Sequence, residues 1–221
     1  MSDNINFQKK MDENLKEIEM EIAKGKKPPT LLLHSCCAPC SSYVLEYLTN
    51  YFQITALFYN PNISEEEEYQ KRVKELRRLL EELPIRYPVR FMEGNYNPQE
   101  FNDAVKGLEH LGERSKRCYA CYLLRMEYAA KIAKEQGFDY FTTTLSISPH
   151  KNAKWLNEIG KQLSEQYELS YLYADFKKRN GYKRSIELSA QYHLYRQDFC
   201  GCAYSKAEEA ARKNSLDICG V

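Results

Sequence analysis

The feature that most constrains the fold is the alternation of short apolar runs with longer segments of helical periodicity. We predict strands at 30–34, 53–59, 89–92, 140–145 and 169–173, and helices at 4–24, 41–51, 64–83, 97–111, 118–136, 152–167, 185–195 and from 205 onward. Such alternation predicts a doubly wound α/β fold with a mainly parallel sheet. We expect one domain over 1–221, in which 1–29 is an N-terminal helical extension and 30–205 carries the motifs.

Two unusual loops follow predicted strands. HSCCAPCSS, at 34–42, comes at the end of the first strand, and SISPHKN, at 146–152, follows the strand 140–145. Parallel α/β sheets bind ligands at the carboxyl ends of their strands. We therefore expect both loops at one edge of the sheet. Ser64 and Glu67 also have the spacing of a capping box for the third helix.

The first thirty residues are charged throughout and contain no apolar stretch of the kind that a signal peptide or membrane span needs. This pattern predicts a cytoplasmic protein without a membrane partner. Structural disulfides are rare in that reducing compartment. The eight cysteines are therefore expected to bind metal or to carry out redox chemistry.

Seven of the eight cysteines form three compact groups, namely CCAPC at 36–40, CYAC at 118–121 and CGC at 200–202. Thiolates are soft ligands, and closely spaced cysteines can chelate one metal ion or one corner of a cluster. Four thiolates hold a [4Fe-4S] cluster, which leaves three for another ion or for redox work. Cys219 stands alone, and we expect it outside the site.

Structural zinc and thiol–disulfide exchange are the competing interpretations. Compact zinc modules separate their cysteine pairs by roughly 15 to 20 residues, whereas Cys40 and Cys118 are much farther apart. A thioredoxin-like site needs only one dithiol. The number of grouped cysteines therefore favours an iron–sulfur cluster with a second metal or redox group beside it.

Five motifs in a fixed order make a more specific signal: CCAPC after a strand, RCYACYLLR, FTTTLSISPHKN, DFKKRNGYKRS and LYRQDFCGCAYS. From about Thr30 to about Ser205 the chain resembles the epoxyqueuosine reductase QueH family. The resemblance implies a Rossmann-like fold of the nucleotide alpha-hydrolase type, a [4Fe-4S] cluster and a second iron ion beside it. It also implies reduction of epoxyqueuosine to queuosine at the tRNA wobble position.

The resemblance also suggests a division of the ligands. The family has cysteine or aspartate at the position of Cys40, and an oxygen ligand suits a lone metal ion better than a cluster. Side chains of adjacent residues are expected to diverge, which directs Cys36 away from Cys37. The resulting hypothesis has the cluster on Cys36, Cys118, Cys121 and Cys202, and a catalytic iron on Cys37, Cys40 and Cys200. Exchanging Cys200 with Cys202, or Cys36 with Cys37, fits nearly as well.

The reaction also needs a proton donor and an electron source. Asp198 is our candidate catalytic acid, and Tyr204, His34 and His150 lie near motifs as well. No G-x-G-x-x-G sequence follows a predicted strand. We therefore expect the electrons to come from an external donor such as ferredoxin or flavodoxin.

A net charge of +1 does not indicate a nucleic-acid partner, so tRNA recognition must use local charge. We predict backbone-phosphate contacts from five cations in eight positions: Lys177, Lys178, Arg179, Lys183 and Arg184. A second candidate is an anion cradle at a helix N-terminus, formed by Ser146, Ser148, His150, Lys151 and Asn152, which fits an ordinary helix cap equally well.

Three other functions remain as alternatives. A zinc-stabilised RNA-binding module or a thiol–disulfide oxidoreductase would use some of the same thiols. A tRNA-thiolating enzyme of related fold would need a pyrophosphate-binding loop of the S-G-G-x-D-S kind after the first strand. HSCCAPCSS occupies that place, so use of ATP is not expected.

Overall fold

A computed structural model describes residues 6–218, with side chains to residue 214; Cys219 lies outside the described residues. The strands are β1 (Thr30–His34), β2 (Gln53–Phe58), β3 (Arg90–Glu93), β4 (Tyr140–Thr143) and β5 (Ser170–Tyr171). The helices are α1 (Phe7–Ala23), α2 (Ala38–Leu48), α3 (Glu66–Glu82), α4 (Pro98–Ala104), α5 (Lys116–Glu135), α6 (Ala153–Tyr167), α7 (Gly181–Gln191) and α8 (Ala203–Ile218). Among the described residues, no helix combines the length and apolar character needed to cross a membrane.

The sheet is parallel throughout and has the order β3-β2-β1-β4-β5. Central strand β1 pairs with β2 on one side and with β4 on the other, so that Leu31 lies opposite both Ile54 and Tyr140. The direction of winding reverses between β1 and β4. The predicted doubly wound α/β fold is confirmed, and the loops after β1 and β4 both begin at this crevice.

Alternating side chains of β1 face two separate cores. Leu31 and Leu33 pack in the core that includes residues of α1, α2 and α3, whereas Leu32 packs against α5 and α6. Three apolar residues at helical spacing, Met11, Leu15 and Ile18, bury one face of α1 in the first core. The N-terminal helix therefore packs directly against the rest of the fold.

Some predicted boundaries were wrong because local contacts shift them. Helix α2 begins at Ala38 rather than at residue 41, since Cys37 is its N-cap and Pro39 lies in its first turn. The chain leaves β4 after Thr143 and continues as a 3-10 turn. The first residue of α7 is Gly181, four residues earlier than predicted, and α4 ends at Ala104 rather than near residue 111.

The predicted capping box at Ser64 was also wrong. Helix α3 begins at Glu66 with Glu65 as its N-cap, and no side chain caps it. Both the backbone N–H and the hydroxyl of Ser64 instead donate to the carbonyl oxygen of Gly201, at 3.1 and 3.4 Å. Ser64 therefore anchors the loop that carries Cys200 and Cys202.

Candidate metal centre

The first cysteine group lies where β1 ends and α2 begins. The sulfur atoms of Cys36 and Cys37 are 3.9 Å apart, and with the sulfur of Cys40 all three lie within 4.8 Å of one another. The expectation that the side chains of Cys36 and Cys37 diverge was therefore wrong. Three thiols this close have the geometry of a three-ligand metal site that leaves further coordination positions open.

These three thiols share their charge unequally. Hydrogen bonds from Cys36 and Cys40, together with the nearby Arg72 cation, hold the pKa of Cys37 well below its usual value. Contact with the other two sulfurs raises the pKa of Cys40. Cys37 also occupies the N-cap position at the positive end of α2, although its side chain makes no capping hydrogen bond. The negative charge of the group therefore concentrates on its sulfur.

The second group combines α5 with the loop before α8. Four cysteines line one narrow cavity, together with Phe101 and Tyr122: Cys118, Cys121, Cys200 and Cys202. Cys200 also lines an adjoining cavity of about 650 Å³ that contains Cys36, Cys37 and Cys40. All seven grouped cysteines therefore converge on two adjoining cavities at the carboxyl edge of the sheet.

The loop that carries Cys200 is held against α3 by several contacts. Gly201 has φ +113°, and a Cβ there would lie 2.9 Å from Ile63 and 3.2 Å from Arg72. Arg72 donates from Nη1 to the carbonyl oxygen of Cys200 at 3.1 Å. A residue with a side chain at 201 would therefore push the two flanking cysteines out of position.

Buried cations surround the sulfurs. Lys151 lies in the large cavity, with its Nζ 3.2 Å from the Cys200 sulfur and 3.3 Å from Glu113. Burial alone would raise the pKa of Cys200, but Lys151 and then Arg125 outweigh burial and lower it. Burial raises the pKa of the Cys121 thiol to about 12. The acidity of these thiols therefore depends on how close each lies to a cation.

Arg72 and Arg125 are site residues that were missed in the sequence. Both are buried, and both line the large cavity. Arg125 lies four residues after Cys121, on the same face of α5, a spacing that could have pointed to it. Arg72 is one of many charged residues in α3, and nothing in the sequence distinguishes it from solvent-exposed neighbours.

The four candidate proton donors have different environments. His34 is fully buried, hydrogen-bonded to Thr143 and to the carbonyl of Tyr59, and does not line either cavity. Asp198 lines the large cavity, where its ion pair with Lys213 lowers its pKa. The ring of Tyr204 lies beneath Arg117. His150 lines the large cavity, with its Nδ1 3.2 Å from Arg114.

The predicted anion cradle is only partly assembled. Ser148, His150 and Lys151 line the large cavity. Asn152 does not line it, because its side chain caps α6 by accepting from the N–H groups of Lys154 and Trp155. Ser146 is buried and accepts a hydrogen bond from Phe176.

The predicted basic patch lies outside both cavities, and carboxylates already pair with part of it. Lys177 forms an ion pair with Asp175 at 2.6 Å, and Arg179 forms one with Asp12 of α1. Lys178 is exposed and has no carboxylate partner among residues 6–214. The same holds for Lys183 in that range, whereas Arg184 is paired with Glu46.

Comparison with known proteins adds an independent line of evidence. The family model described as "Epoxyqueuosine reductase QueH" matches residues 31–208. A protein of that name from Streptococcus pyogenes is 40% identical over 219 residues, which cover 98% of this chain and 82% of the relative. Relatives of the same name from Staphylococcus epidermidis and Thermotoga maritima are 40% and 35% identical, covering 94% and 81% of this chain and 87% and 91% of the relatives.

Proposed function

The chain belongs to the epoxyqueuosine reductase QueH family and is an oxidoreductase, and from this premise we propose that it reduces epoxyqueuosine to queuosine at the wobble position of tRNA. Two electrons and two protons are consumed, both carbon–oxygen bonds of the epoxide break, the oxygen leaves as water and a carbon–carbon double bond forms. The convergence of seven cysteines on two cavities at one edge of the sheet supports this reaction most directly.

We further propose that these cysteines hold a [4Fe-4S] cluster and a second iron ion. Soft thiolate donors suit both groups, and buried cations next to the sulfurs offset the negative charge that accumulates there. When bound, iron polarises the epoxide oxygen as a Lewis acid and the cluster supplies electrons one at a time.

The distances favour a ligand division different from the one based on sequence. The mutual separations support Cys36, Cys37 and Cys40 as the ligands of the single iron. Their shared cavity supports Cys118, Cys121, Cys200 and Cys202 as the cluster ligands. This hypothesis exchanges Cys36 and Cys200 relative to the first division, which remains its competitor.

The chain itself stabilises charge at the reacting oxygen. Contact with the Cys200 thiolate and Glu113 keeps the pKa of Lys151 well above its usual value despite burial, so its ammonium group stays protonated. In the large cavity this ammonium can donate a hydrogen bond to an oxygen that gains negative charge. Asp198 stays our candidate proton donor, and because its lowered pKa keeps it ionised at neutral pH, it must take up a proton from solvent before it donates one. His150, which also lines the large cavity, is the alternative proton donor.

The substrate and the electron donor come from outside the chain. The name of the relatives implies a tRNA that carries epoxyqueuosine. We propose that the modified base enters the large cavity while the anticodon backbone contacts cations around its opening. An external one-electron carrier such as ferredoxin or flavodoxin supplies the two electrons in turn.

The test is single-turnover reduction by anaerobically reconstituted protein. Protein loaded with iron and sulfide is reduced and mixed with tRNA that carries epoxyqueuosine, and the nucleosides are identified by mass spectrometry. We expect a brown protein and conversion to queuosine. Absence of queuosine with a loaded, reduced protein would contradict the proposal, and a colourless zinc-containing protein would favour the RNA-binding alternative.

Cysteine substitutions test the two metal sites and the ligand division. Cys40→Ala should remove the single iron and leave the cluster absorbance, whereas Cys40→Asp should retain both, since carboxylate is also an iron ligand. Cys118→Ala should remove the cluster absorbance. The two divisions differ in whether Cys36 or Cys200 is a cluster ligand, and iron content with cluster absorbance also decides this. Our hypothesis predicts that Cys36→Ala loses only the single iron. Loss of the cluster in Cys36→Ala would instead support the first division.

A further inference from the structure

Two buried hydrogen-bond donors on α5 have no partner among the described residues. The hydroxyl of Tyr122 makes no hydrogen bond, and neither does Nη2 of Arg125. Both side chains are 1% exposed. Two of the five N–H groups of Arg125 are used, because Nε donates to the carbonyl of Cys121 at 3.3 Å and Nη1 to the side chain of Asn60 at 3.2 Å. The hydroxyl of Tyr122 and both N–H groups on Nη2 of Arg125 are therefore unused donors.

An unused buried donor is unfavourable, and it is more so on a charged group. Arg125 forms no ion pair with a carboxylate within the described part of the chain. Cys36 and Cys200 line the same large cavity as Arg125, so cysteine sulfurs are the candidate partners of this guanidinium.

Helix geometry places both residues on the face of α5 that carries two of the site cysteines. Cys118, Cys121, Tyr122 and Arg125 follow the spacing i, i+3, i+4 and i+7, which is one face of α5. Tyr122 lines the narrow cavity together with the four cysteines that we infer to be cluster ligands. Arg125 lines the adjoining large cavity beside Cys36 and Cys200.

We propose that Tyr122 and Arg125 donate hydrogen bonds to sulfur atoms of the iron–sulfur cluster and thereby raise its reduction potential. This inference rests on the proposed function, because it requires the cluster to be present. Reduction adds one electron to a group that is already anionic. Donors and a cation at its sulfurs therefore stabilise the reduced form more than the oxidised form.

The test is an anaerobic redox titration of the reconstituted holoenzyme, followed by electron paramagnetic resonance of the reduced cluster. Tyr122→Phe removes only the hydroxyl and keeps the ring that packs in the core. We expect its one-electron equilibrium constant to fall about tenfold, which is a shift of about 59 mV to more negative potential. Tyr171→Phe is the control, because Tyr171 is buried in β5 with its hydroxyl 3.4 Å from the carbonyl of Leu156 and lines neither cavity.

Arg125→Lys keeps the charge and loses the fork of donors. We expect a negative shift in this variant too, of the same order as that of Tyr122→Phe. Unchanged potentials in Tyr122→Phe and Arg125→Lys, at wild-type iron and sulfide content, would overturn the inference and leave the proposed function intact. A wild-type protein that assembles no cluster would overturn both, so the two failures are distinguishable.

Discussion

The ammonium nitrogen of Lys151 lies 3.2 Å from the sulfur of Cys200, although 49 positions separate the two residues in the chain. Lys151 belongs to the loop after β4, and Cys200 to the loop before α8. The Lys151 side chain is only 8% exposed, so this contact is shielded from solvent. It joins two of the motifs into one site and controls the charge of the thiol that lines both cavities.

Replacing Lys151 should make Cys200 less acidic. Lys151→Met removes the cation that counteracts burial, so the pKa of Cys200 should rise and its thiolate fraction at pH 8 should fall. The rate of Cys200 alkylation in metal-free protein, measured by mass spectrometry, should fall in proportion to the thiolate fraction.

Two controls accompany this measurement. Lys151→Arg retains the positive charge and should alkylate at Cys200 nearly as fast as the wild type. Lys154→Met removes an exposed lysine that pairs with Glu158 in the same helix, and it should have no effect. Equal alkylation rates in Lys151→Met and the wild type would show that this contact does not set the acidity of Cys200.

The sheet and the position of the site could be predicted because both follow from local pattern. The centre of β1 is a continuous apolar run, Leu31 to Leu33, because both faces of the strand are buried. Asn152 was predicted in an anion cradle with a helix cap as the equal alternative, and its side chain caps α6. The two loops with distinctive sequences follow adjacent parallel strands, so topology alone brings them to one edge.

Tertiary pairing was beyond the reach of sequence patterns. The sequence predicts Arg179 as part of a basic patch, but Arg179 pairs with Asp12 in the N-terminal helix, 167 positions away. Arg125 reads as a charged residue of a helix that faces solvent, but it is buried next to thiols. Charged residues obtain these roles from neighbours that are distant in the chain, and local periodicity carries no information about them.

His34 should make the stability depend on pH. Burial, followed by the Arg125 cation, lowers its pKa from 6.5 to about 4. The unfolded chain therefore binds the proton more readily than the folded chain does. The stabilisation is complete above about pH 6.5 and is lost as the pH falls toward 4, by about 2 kcal/mol at pH 5.

Comparison with His34→Gln isolates this contribution, because acid lability of the metal centre is common to both proteins. His34→Gln should be less stable at pH 7.5, having lost a hydrogen bond to Thr143 or Tyr59. Anaerobic urea unfolding should show the stability difference narrowing by about 2 kcal/mol between pH 7.5 and pH 5. A difference independent of pH would show that His34 does not titrate in this way.

Gly181 should tolerate no side chain at the start of α7. A Cβ at this position would lie 2.0 Å from the backbone oxygen of Phe176 and 2.5 Å from the ring of Tyr43. Since a backbone atom has little freedom to move, Gly181→Ala should lower the free energy of unfolding by about 1 to 3 kcal/mol. Gly112→Ala is the matched control, because nothing lies within 4 Å of its Cβ position. Equal thermal stability of the two variants would contradict the steric argument.

The basic patch should contribute fewer phosphate contacts to tRNA binding than its number of cations indicates. Lys177 and Arg179 are paired with Asp175 and Asp12, so within the stretch 177–179 only Lys178 has no carboxylate partner among residues 6–214. Replacing all three by alanine should weaken tRNA binding in a salt-dependent way. The plot of log affinity against log salt has a negative slope, and its magnitude should fall by about 0.7 to 0.9, the value for one phosphate contact. Loss of three contacts would lower the magnitude by about three times that value.

Arg196, a cation at the large cavity, allows the tRNA contacts of the cavity to be compared with those of the basic patch. It is exposed, lines the large cavity and donates to the Ser189 hydroxyl at 3.1 Å. Arg196→Ala alone should reduce the slope by about as much as the three-residue replacement. Lys131→Ala, which removes an exposed lysine near the end of α5, is the control and should leave the slope unchanged.

Two outcomes for the three-residue variant would contradict the prediction. Unchanged affinity at low salt would show that the patch does not contact tRNA, and a threefold change in slope would mean that tRNA displaces both carboxylate partners.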